Sequence, residues 1–180
     1  MGKFIDEGSS STGQFEKEDF VKIEDGKSVI GLICGDAYKF RSHWNGKHTE
    51  ECKGAGVCPQ CLAGAKSLSR FRVNFVMGTK TGYETKIIEQ GYNFGVMLED
   101  LSEKHDLASN VIEISRKGTG LHGTRYYAHI RHDLPLTPRQ LEAIKQVKLK
   151  DLRPTAAVGQ QTPAQATPEP AFDSDEQLPF

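Results

Sequence analysis

Short stretches in which apolar and polar residues alternate recur along the chain, and this pattern predicts β-strands. The stretches are residues 27–34, 37–44, 70–77, 83–89, 110–117 and 124–131. A turn is predicted at Gly35-Asp36, between the first two stretches. The Gly-rich residues 118–123 are predicted to join the last two stretches as a hairpin.

The spacing of apolar residues changes between the fourth and fifth stretches. The positions at i, i+3, i+4 and i+7 are Phe94, Met97, Leu98 and Leu101. This spacing predicts a helix over residues 92–104. A second, short helix is predicted after Thr137, which is the N-cap, with Pro138 at N1 and Gln140 at N3.

About five strands interrupted by one helix is the pattern of an OB-fold. The fold class that we predict is therefore mainly β: an OB-fold-like five-stranded barrel with one or two short helices and an inserted loop. An SH3-like barrel or another small β architecture stays open as an alternative.

Composition divides the chain into four parts. Residues 1–20 are rich in Gly, Ser and charge and are predicted to be a flexible leader. Residues 21–150 hold the strand and helix patterns and are long enough for one domain. Residues 151–171 are dominated by Pro, Ala, Gln and Thr, which predicts a disordered linker before a distinct tip at residues 172–180.

Charge is unevenly distributed between these parts. The chain has 23 basic and 24 acidic residues, but after residue 150 a single basic residue, Arg153, faces five acidic ones. The body at residues 1–150 therefore carries a net charge of about +3. A mildly basic body permits nucleic-acid binding without establishing it.

Three of the four cysteines lie within ten residues of one another, beside two histidines. The run Cys58-Pro59-Gln60-Cys61 is a knuckle from which two thiolates reach one ion. We predict one structural Zn²⁺ in a subdomain at residues 43–61, with the ligands His43, Cys52, Cys58 and Cys61. His48 is the alternative to His43. Cys34, in an apolar strand, is predicted to be a buried small hydrophobic residue.

A catalytic interpretation of the same residues fits less well. Zinc nucleobase deaminases carry H-x-E followed by P-C-x-x-C. Here His48-Thr49-Glu50 matches the first part, but Pro59 lies inside the knuckle, and Cys52 would be an extra thiol. A site with four protein ligands also leaves no open position for a substrate. We therefore predict that the protein is not an enzyme.

Basic and aromatic residues alternate on the predicted strands, as a single-strand binder requires: aromatic faces stack on bases while cations follow the phosphates. On residues 70–77 the alternation places Arg70, Arg72 and Asn74 outward. The predicted DNA-contacting residues are Lys39, Arg41, Trp44, Arg70, Arg72, Tyr83, Arg125, Tyr127, His129 and Arg131. The prediction rests on the whole set of residues, because a single aromatic residue flanked by arginines also occurs at the solvent-exposed edge of a sheet.

The stretch from residue 42 to 61 resembles the zinc subdomain of phage helix-destabilising proteins of the T-even type. In that family a His, an Asn-Gly-Lys turn, a Cys and a Cys-Pro-x-Cys knuckle follow in order. The matching residues here are His43, Asn45-Gly46-Lys47, Cys52 and Cys58-Pro59-Gln60-Cys61. The resemblance implies an OB-fold with an inserted zinc subdomain that binds single-stranded DNA.

The last residues are similar to the C-terminal tip of bacterial single-strand-binding proteins, which end in an acidic run, an apolar residue, Pro and Phe. The matching residues are Asp173, Asp175, Glu176, Leu178, Pro179 and Phe180. The resemblance implies docking onto replication or repair proteins. A terminal Phe fills an apolar pocket, its α-carboxylate meets a basic residue, and the acids steer the encounter.

We therefore predict a sequence-independent single-stranded-DNA-binding protein for replication, recombination or repair, with a phage origin indicated by the resemblance. Neither a membrane nor a small-molecule substrate is expected. A single-stranded RNA-binding regulator and a zinc-containing protein-interaction adaptor remain alternatives. With no secretion signal and no apolar run of roughly 20 residues, a cytoplasmic location in the bacterial cytosol is predicted.

Overall fold

The computed structural model describes residues 15–46 and 49–153, except for the side chains at positions 121 and 122. Residues 1–14, His48, the linker from residue 154 and the tip lie outside the described residues. The described chain is mainly β with a few short helices. None of those helices is long and apolar enough to cross a membrane.

Six antiparallel strands form one sheet. They are β1 (Ser28–Trp44), β2 (Thr49–Glu51), β3 (Leu68–Thr79), β4 (Gly82–Gly91), β5 (Ile112–Lys117) and β6 (Arg125–Ile130). Five follow the order β4-β3-β1-β5-β6, and β2 pairs with the end of β1. The helices are α1 (Pro59–Leu62), α2 (Tyr92–Ser102), α3 (Gly120–Gly123) and α4 (Pro138–Lys145).

β1 is one long, bent strand where the sequence predicted two strands and a turn. Residues 28–31 pair with β5, and from Leu32 onward β1 pairs with β3. The register with β3 shifts between Cys34 and Tyr38, and Gly35 has a φ of +73°. The extra residues form a bulge that bends the strand without reversing it. The turn predicted at Gly35 is therefore wrong.

The main core lies between the sheet and α2. Phe75, Ile112 and Ile114 are fully buried there. Phe94 of α2 stacks on Phe71 of β3, with ring centroids 6.1 Å apart. The helix predicted over residues 92–104 is confirmed, although α2 ends at Ser102.

The sheet is open and does not close into a barrel. In the described part of the chain, β4 and β6 end the strand order and no ladder joins them. The N–H of Ala128 in β6 donates to Sδ of Met97 in α2 at 3.2 Å, so the helix lies along an edge of β6 where a strand would otherwise pair. The predicted five-stranded barrel is thus corrected to an open six-stranded sheet. The added strand, β2, spans three residues, too few for a visible alternation.

A C-terminal segment crosses the face of β3 and β4 that points away from α2, called the second face below. This segment, residues 147–152, is called the C-terminal strap below. The Asn74 side chain donates to the carbonyl of Lys150 and accepts from the Lys150 N–H, both at 3.0 Å. Thr85 Oγ1 donates to the carbonyl of Lys148, also at 3.0 Å. The strap is therefore fastened to both strands.

Residues at both ends of the predicted domain are packed as well. Phe15 and Leu152 are buried in one cluster with Ile87 of β4, and Phe20 forms a parallel bridge to Ile87. The predicted leader (1–20) thus includes the packed residues Phe15 and Phe20, and the predicted linker (151–171) includes the packed residue Leu152. Isolated apolar residues give no periodic signal, so the sequence did not reveal this packing.

Arg72 and Asn74 lie on the second face of the sheet, which is covered instead of open. The exposed fraction is 7% for Arg72 and 4% for Asn74. Arg72 Nε donates to Glu89 at 2.7 Å, Nη1 donates to Glu51 at 3.3 Å, and the guanidinium carbon lies 4.3 Å from the ring centroid of Phe40. The solvent-facing position predicted for Arg72 and Asn74 is wrong because the strap covers this face.

The predicted second helix is present as α4. Thr137 Oγ1 accepts from the N–H of Gln140 at 3.3 Å, and Gln140 Oε1 accepts from the N–H of Thr137 at 2.9 Å, a reciprocal capping box. Ile144 of α4 is buried against Leu32 and Val76, in the smaller core cluster that also contains Cys34. This confirms that Cys34 is a buried hydrophobic residue, and burial raises the pKa of its thiol.

Candidate functional site

The four predicted metal-ligating residues lie together near the C-terminal end of β1. They are His43 in β1, Cys52 after β2, Cys58 before α1 and Cys61 within α1. Their ligand atoms all lie within 4.8 Å of one another, so these residues could hold a metal ion. Across residues 15–46 and 49–153 no other group of three or more such side chains comes together in this way.

His43 is oriented as a metal-binding imidazole should be. The ring is buried, and Nδ1 lies 3.2 Å from the carbonyl oxygen of Lys66. A carbonyl only accepts, so in the neutral imidazole Nδ1 carries the hydrogen and Nε2 keeps its lone pair. Nε2 lies 3.2 Å from Sγ of Cys61, on the cluster side of the ring. His43 is therefore the histidine found in the cluster, while His48 lies outside the described residues.

The three thiols of the cluster are free and crowded. Sγ of Cys52 and Sγ of Cys61 lie 3.4 Å apart, well beyond the roughly 2.05 Å of a disulfide. Backbone N–H groups, first that of Cys61, lower the pKa of the Cys58 thiol to about 6. The hydrogen bond with Cys52 and burial raise the pKa of the Cys61 thiol to about 11. Three thiolates this close together would repel one another, and a bound cation would offset that repulsion.

A groove of about 850 Å³ opens between β1, β3, α2 and the loop at residues 52–67, called the metal loop below. Cys52 and Gly54 of the metal loop form part of one wall, and Tyr92 and Glu99 of α2 form part of another. Apolar side chains that include Phe71, Val73 and Leu98 also line the groove. One residue of the cluster, Cys52, thus belongs to the wall of this groove.

Three of the predicted DNA-contacting residues, Lys39, Arg41 and Arg70, line this groove. Lys39 pairs with Glu99, and Arg70 pairs with Glu89 at 3.1 Å. Arg41 makes no ion pair within the described residues. Acidic residues line the groove too, namely Asp36, Glu51, Glu99 and Asp106. Arg41 is thus the cation most available to an incoming anion.

Other predicted contact residues lie away from the groove. Trp44 is 61% exposed at the end of β1. Arg72 is held in its buried ion pairs under the strap. Tyr83 packs partly buried against the smaller core cluster of Leu32, Val76 and Ile144. A contact with DNA through Arg72 would require the strap to move.

A second basic and aromatic surface lies on β6. Arg125, Tyr127 and His129 are exposed on one face of the strand, as the alternation predicts. Lys117 of β5 pairs opposite Arg125, and its Nζ lies 5.7 Å from the ring centroid of Tyr127. On this face two cationic side chains, Lys117 and Arg125, therefore lie near the accessible ring of Tyr127.

Arg131 differs from its neighbours because carboxylates surround it. It donates to Glu113 and to Asp133, at 2.6 Å in each case. These bonds raise the pKa of Arg131 and lower the pKa of Asp133 to about 2. Glu113 also lies 3.4 Å from His129 Nε2. The charge at this end of β6 is already largely balanced.

Tyr92 is a groove residue that the sequence analysis missed. It begins α2 and is 65% exposed, yet it lines the groove. The available signal was its position outside the apolar stripe of the helix, which begins at Phe94. An aromatic residue that the core does not need is a candidate for stacking.

Comparison of the chain with protein-family models, with curated proteins and with solved structures finds no match. The predicted docking residues of the tip, from Asp173 to Phe180, lie outside the described residues.

Proposed function

We propose that the protein binds single-stranded DNA without sequence preference. The observation that carries this proposal is the groove, where Lys39, Arg41 and Arg70 line a concave surface that also has apolar and aromatic side chains. Single-strand binders combine cations that follow the phosphates with rings that stack on bases. Both features occur here within one groove, and only an unpaired strand offers its base faces to such a surface.

Individual roles follow from the surroundings of each residue. Arg41, without an ion pair in the described chain, contacts a phosphate. Lys39 joins it, because exposed pairs such as Lys39–Glu99 contribute little and a phosphate can compete for the ammonium. The exposed ring of Tyr92 stacks on a base. The β6 face with Tyr127 extends the path of the strand.

The order of elements supports an OB-like architecture. One long bent strand, β1, pairs with both β3 and β5, and α2 lies between the β3–β4 and β5–β6 hairpins. The metal loop is inserted between the first two long strands. An OB-like domain of this kind binds oligonucleotides with its sheet and loops.

Zinc is the ion that suits the cluster best. Three thiolates and one imidazole are a typical zinc donor set, and soft sulfur ligands disfavour Mg²⁺ or Ca²⁺. With Zn–S bonds of about 2.3 Å at tetrahedral angles, sulfurs lie roughly 3.8 Å apart. The 3.4 Å between Cys52 and Cys61 is close to that spacing. His43, Cys52, Cys58 and Cys61 would fill all four positions, so the ion supports the groove wall and does no chemistry.

The action that we propose is stoichiometric. The groove holds an extended strand, which opposes hairpin formation, and the coated strand is presented to the enzymes that act on it. The tip, with its acids followed by Leu178, Pro179 and Phe180, recruits replication or repair proteins to it.

Fluorescence anisotropy of labelled oligo-dT, duplex DNA and oligo-rU at two salt concentrations tests the proposal. We expect tight binding to oligo-dT only, weakening with salt. Arg41→Ala should reduce the salt slope by about 0.7, as expected for one phosphate contact on a single strand. Tyr92→Ala should cost about 1–3 kcal/mol of affinity, and Tyr92→Phe almost nothing, because stacking uses the ring.

Each alternative has its own result in the same experiment. Equal binding to duplex DNA would overturn the single-strand proposal. Tighter binding to oligo-rU would favour an RNA-binding protein. No binding by the folded protein would favour the adaptor, in which the tip is the main functional element.

A further inference from the structure

The metal loop exposes two apolar side chains that do not line the groove. Val57 is 70% exposed and Leu62 is 71% exposed, the highest values among the large apolar side chains described. Each is adjacent in sequence to a metal-ligating cysteine. The charged residues between positions 52 and 69 are Lys53 and Lys66, both exposed and basic. The metal loop therefore carries two exposed apolar side chains and two exposed lysines within one short segment of the chain.

The chain leaves the described domain beside this loop. Nη1 of Arg72 donates to the carbonyl oxygen of Leu152 at 3.4 Å and to the carboxylate of Glu51 at 3.3 Å. Those two oxygens are therefore no more than about 7 Å apart. Glu51 directly precedes the ligand Cys52, and Leu152 is the penultimate described residue. The C-terminal residues thus start next to the metal loop.

The remaining residues complement the exposed surface in charge and in hydrophobicity. Residues 154–180 contain no basic residue, and their acids are Glu169, Asp173, Asp175 and Glu176. The apolar residues Leu178, Pro179 and Phe180 follow these acids. A linker of the unstructured kind that the sequence predicts for 154–171 spans on average about 21–25 Å, enough to return to a nearby loop.

We propose that residues 172–180 fold back onto the metal loop of their own chain. Leu178 and Phe180 pack against Val57 and Leu62, and the acids face Lys53 and Lys66. A short flexible link gives an effective concentration of the order of millimolar, so even weak contacts are populated. This inference goes beyond the docking of the tip onto other proteins, since a partner must then displace the tip from the metal loop.

Amide NMR spectra of the full-length, zinc-loaded chain test the fold-back. Leu178 and Phe180 lie outside the packed domain, so the double variant Leu178→Ser, Phe180→Ser leaves that domain intact. We expect it to shift the resonances of residues 53–68, by amounts that do not depend on protein concentration. Val57→Ser with Leu62→Ser should shift the tip resonances in turn. Leu134→Ser, at another exposed leucine, should leave the tip unchanged.

Several outcomes would overturn the fold-back. Unchanged resonances at 53–68 in the tip variant would show that the tip does not touch the loop. Shifts that grow with protein concentration would assign the contact to a second copy. Shifts confined to Lys39 and Arg41 would place the tip in the groove. Oligo-dT affinity measured on the same samples reports DNA binding separately, so either proposal can fail while the other stands.

Discussion

Arg72 is buried and donates to Glu51 and Glu89, whereas Arg41 has no ion pair in the described residues. Removing one partner from a buried ion pair leaves uncompensated charge and costs about 3–5 kcal/mol. Arg72→Ala also removes the bond to Leu152 in the strap. We therefore expect Arg72→Ala to lower the free energy of unfolding by about 3 kcal/mol or more in urea denaturation.

Arg41→Ala is the matched control for that substitution. It removes the same side chain from the same sheet at an exposed position, where the expected change is within about 0.5 kcal/mol. Equal stability of the two variants would contradict the buried ion-pair network. At the scale of single residues, the alternation predicts the face of a side chain. It does not predict whether another segment covers that face.

At the scale of elements, the C-terminal strap has no secondary structure and depends on side-chain bonds from the sheet. Asn74 satisfies both backbone groups of Lys150. Asn74→Ala leaves these groups without their partner, which costs about 1–3 kcal/mol. We expect faster hydrogen exchange at the Lys150 amide and a matching loss of stability, with exchange at Ile112 least affected. Thr85→Val, which removes one exposed bond, should have a smaller effect; identical exchange in both variants would contradict this role of Asn74.

The elements that the sequence predicts well are those with a local signal. α2 follows from its apolar spacing and α4 from the Thr137–Gln140 capping box, because both depend on residues within a few positions. The bulge in β1 was predicted as a turn. Gly35 indicates that the regular strand is interrupted, but it does not indicate whether the chain bends or reverses there. The strap carried no signal, since its bonds join residues far apart in sequence, such as Asn74 and Lys150.

At the scale of the whole molecule, the metal cluster is formed by residues close in sequence, whereas the groove is formed by residues far apart in sequence. The cluster could be predicted because its ligands lie close in sequence and few other sites gather three cysteines and a histidine. The groove could not, because its walls come from β1, β3, α2 and the metal loop, which meet only in the folded chain. Lys39 and Arg41 were predicted as contacts, but Tyr92 was found only from its place in the structure.

The metal cluster and the core are separate parts of the molecule, which predicts a specific response to metal loss. The main core cluster contains no residue of the metal loop. Cys61→Ser should therefore abolish bound zinc and weaken oligo-dT binding, because one groove wall is lost, while the far-ultraviolet circular dichroism of the sheet persists. Cys34→Ala, at the cysteine outside the cluster, should keep one zinc per chain, measured by elemental analysis. Loss of zinc with unchanged oligo-dT affinity would mean that the wall is not needed, and the β6 face would then be the principal contact with the strand.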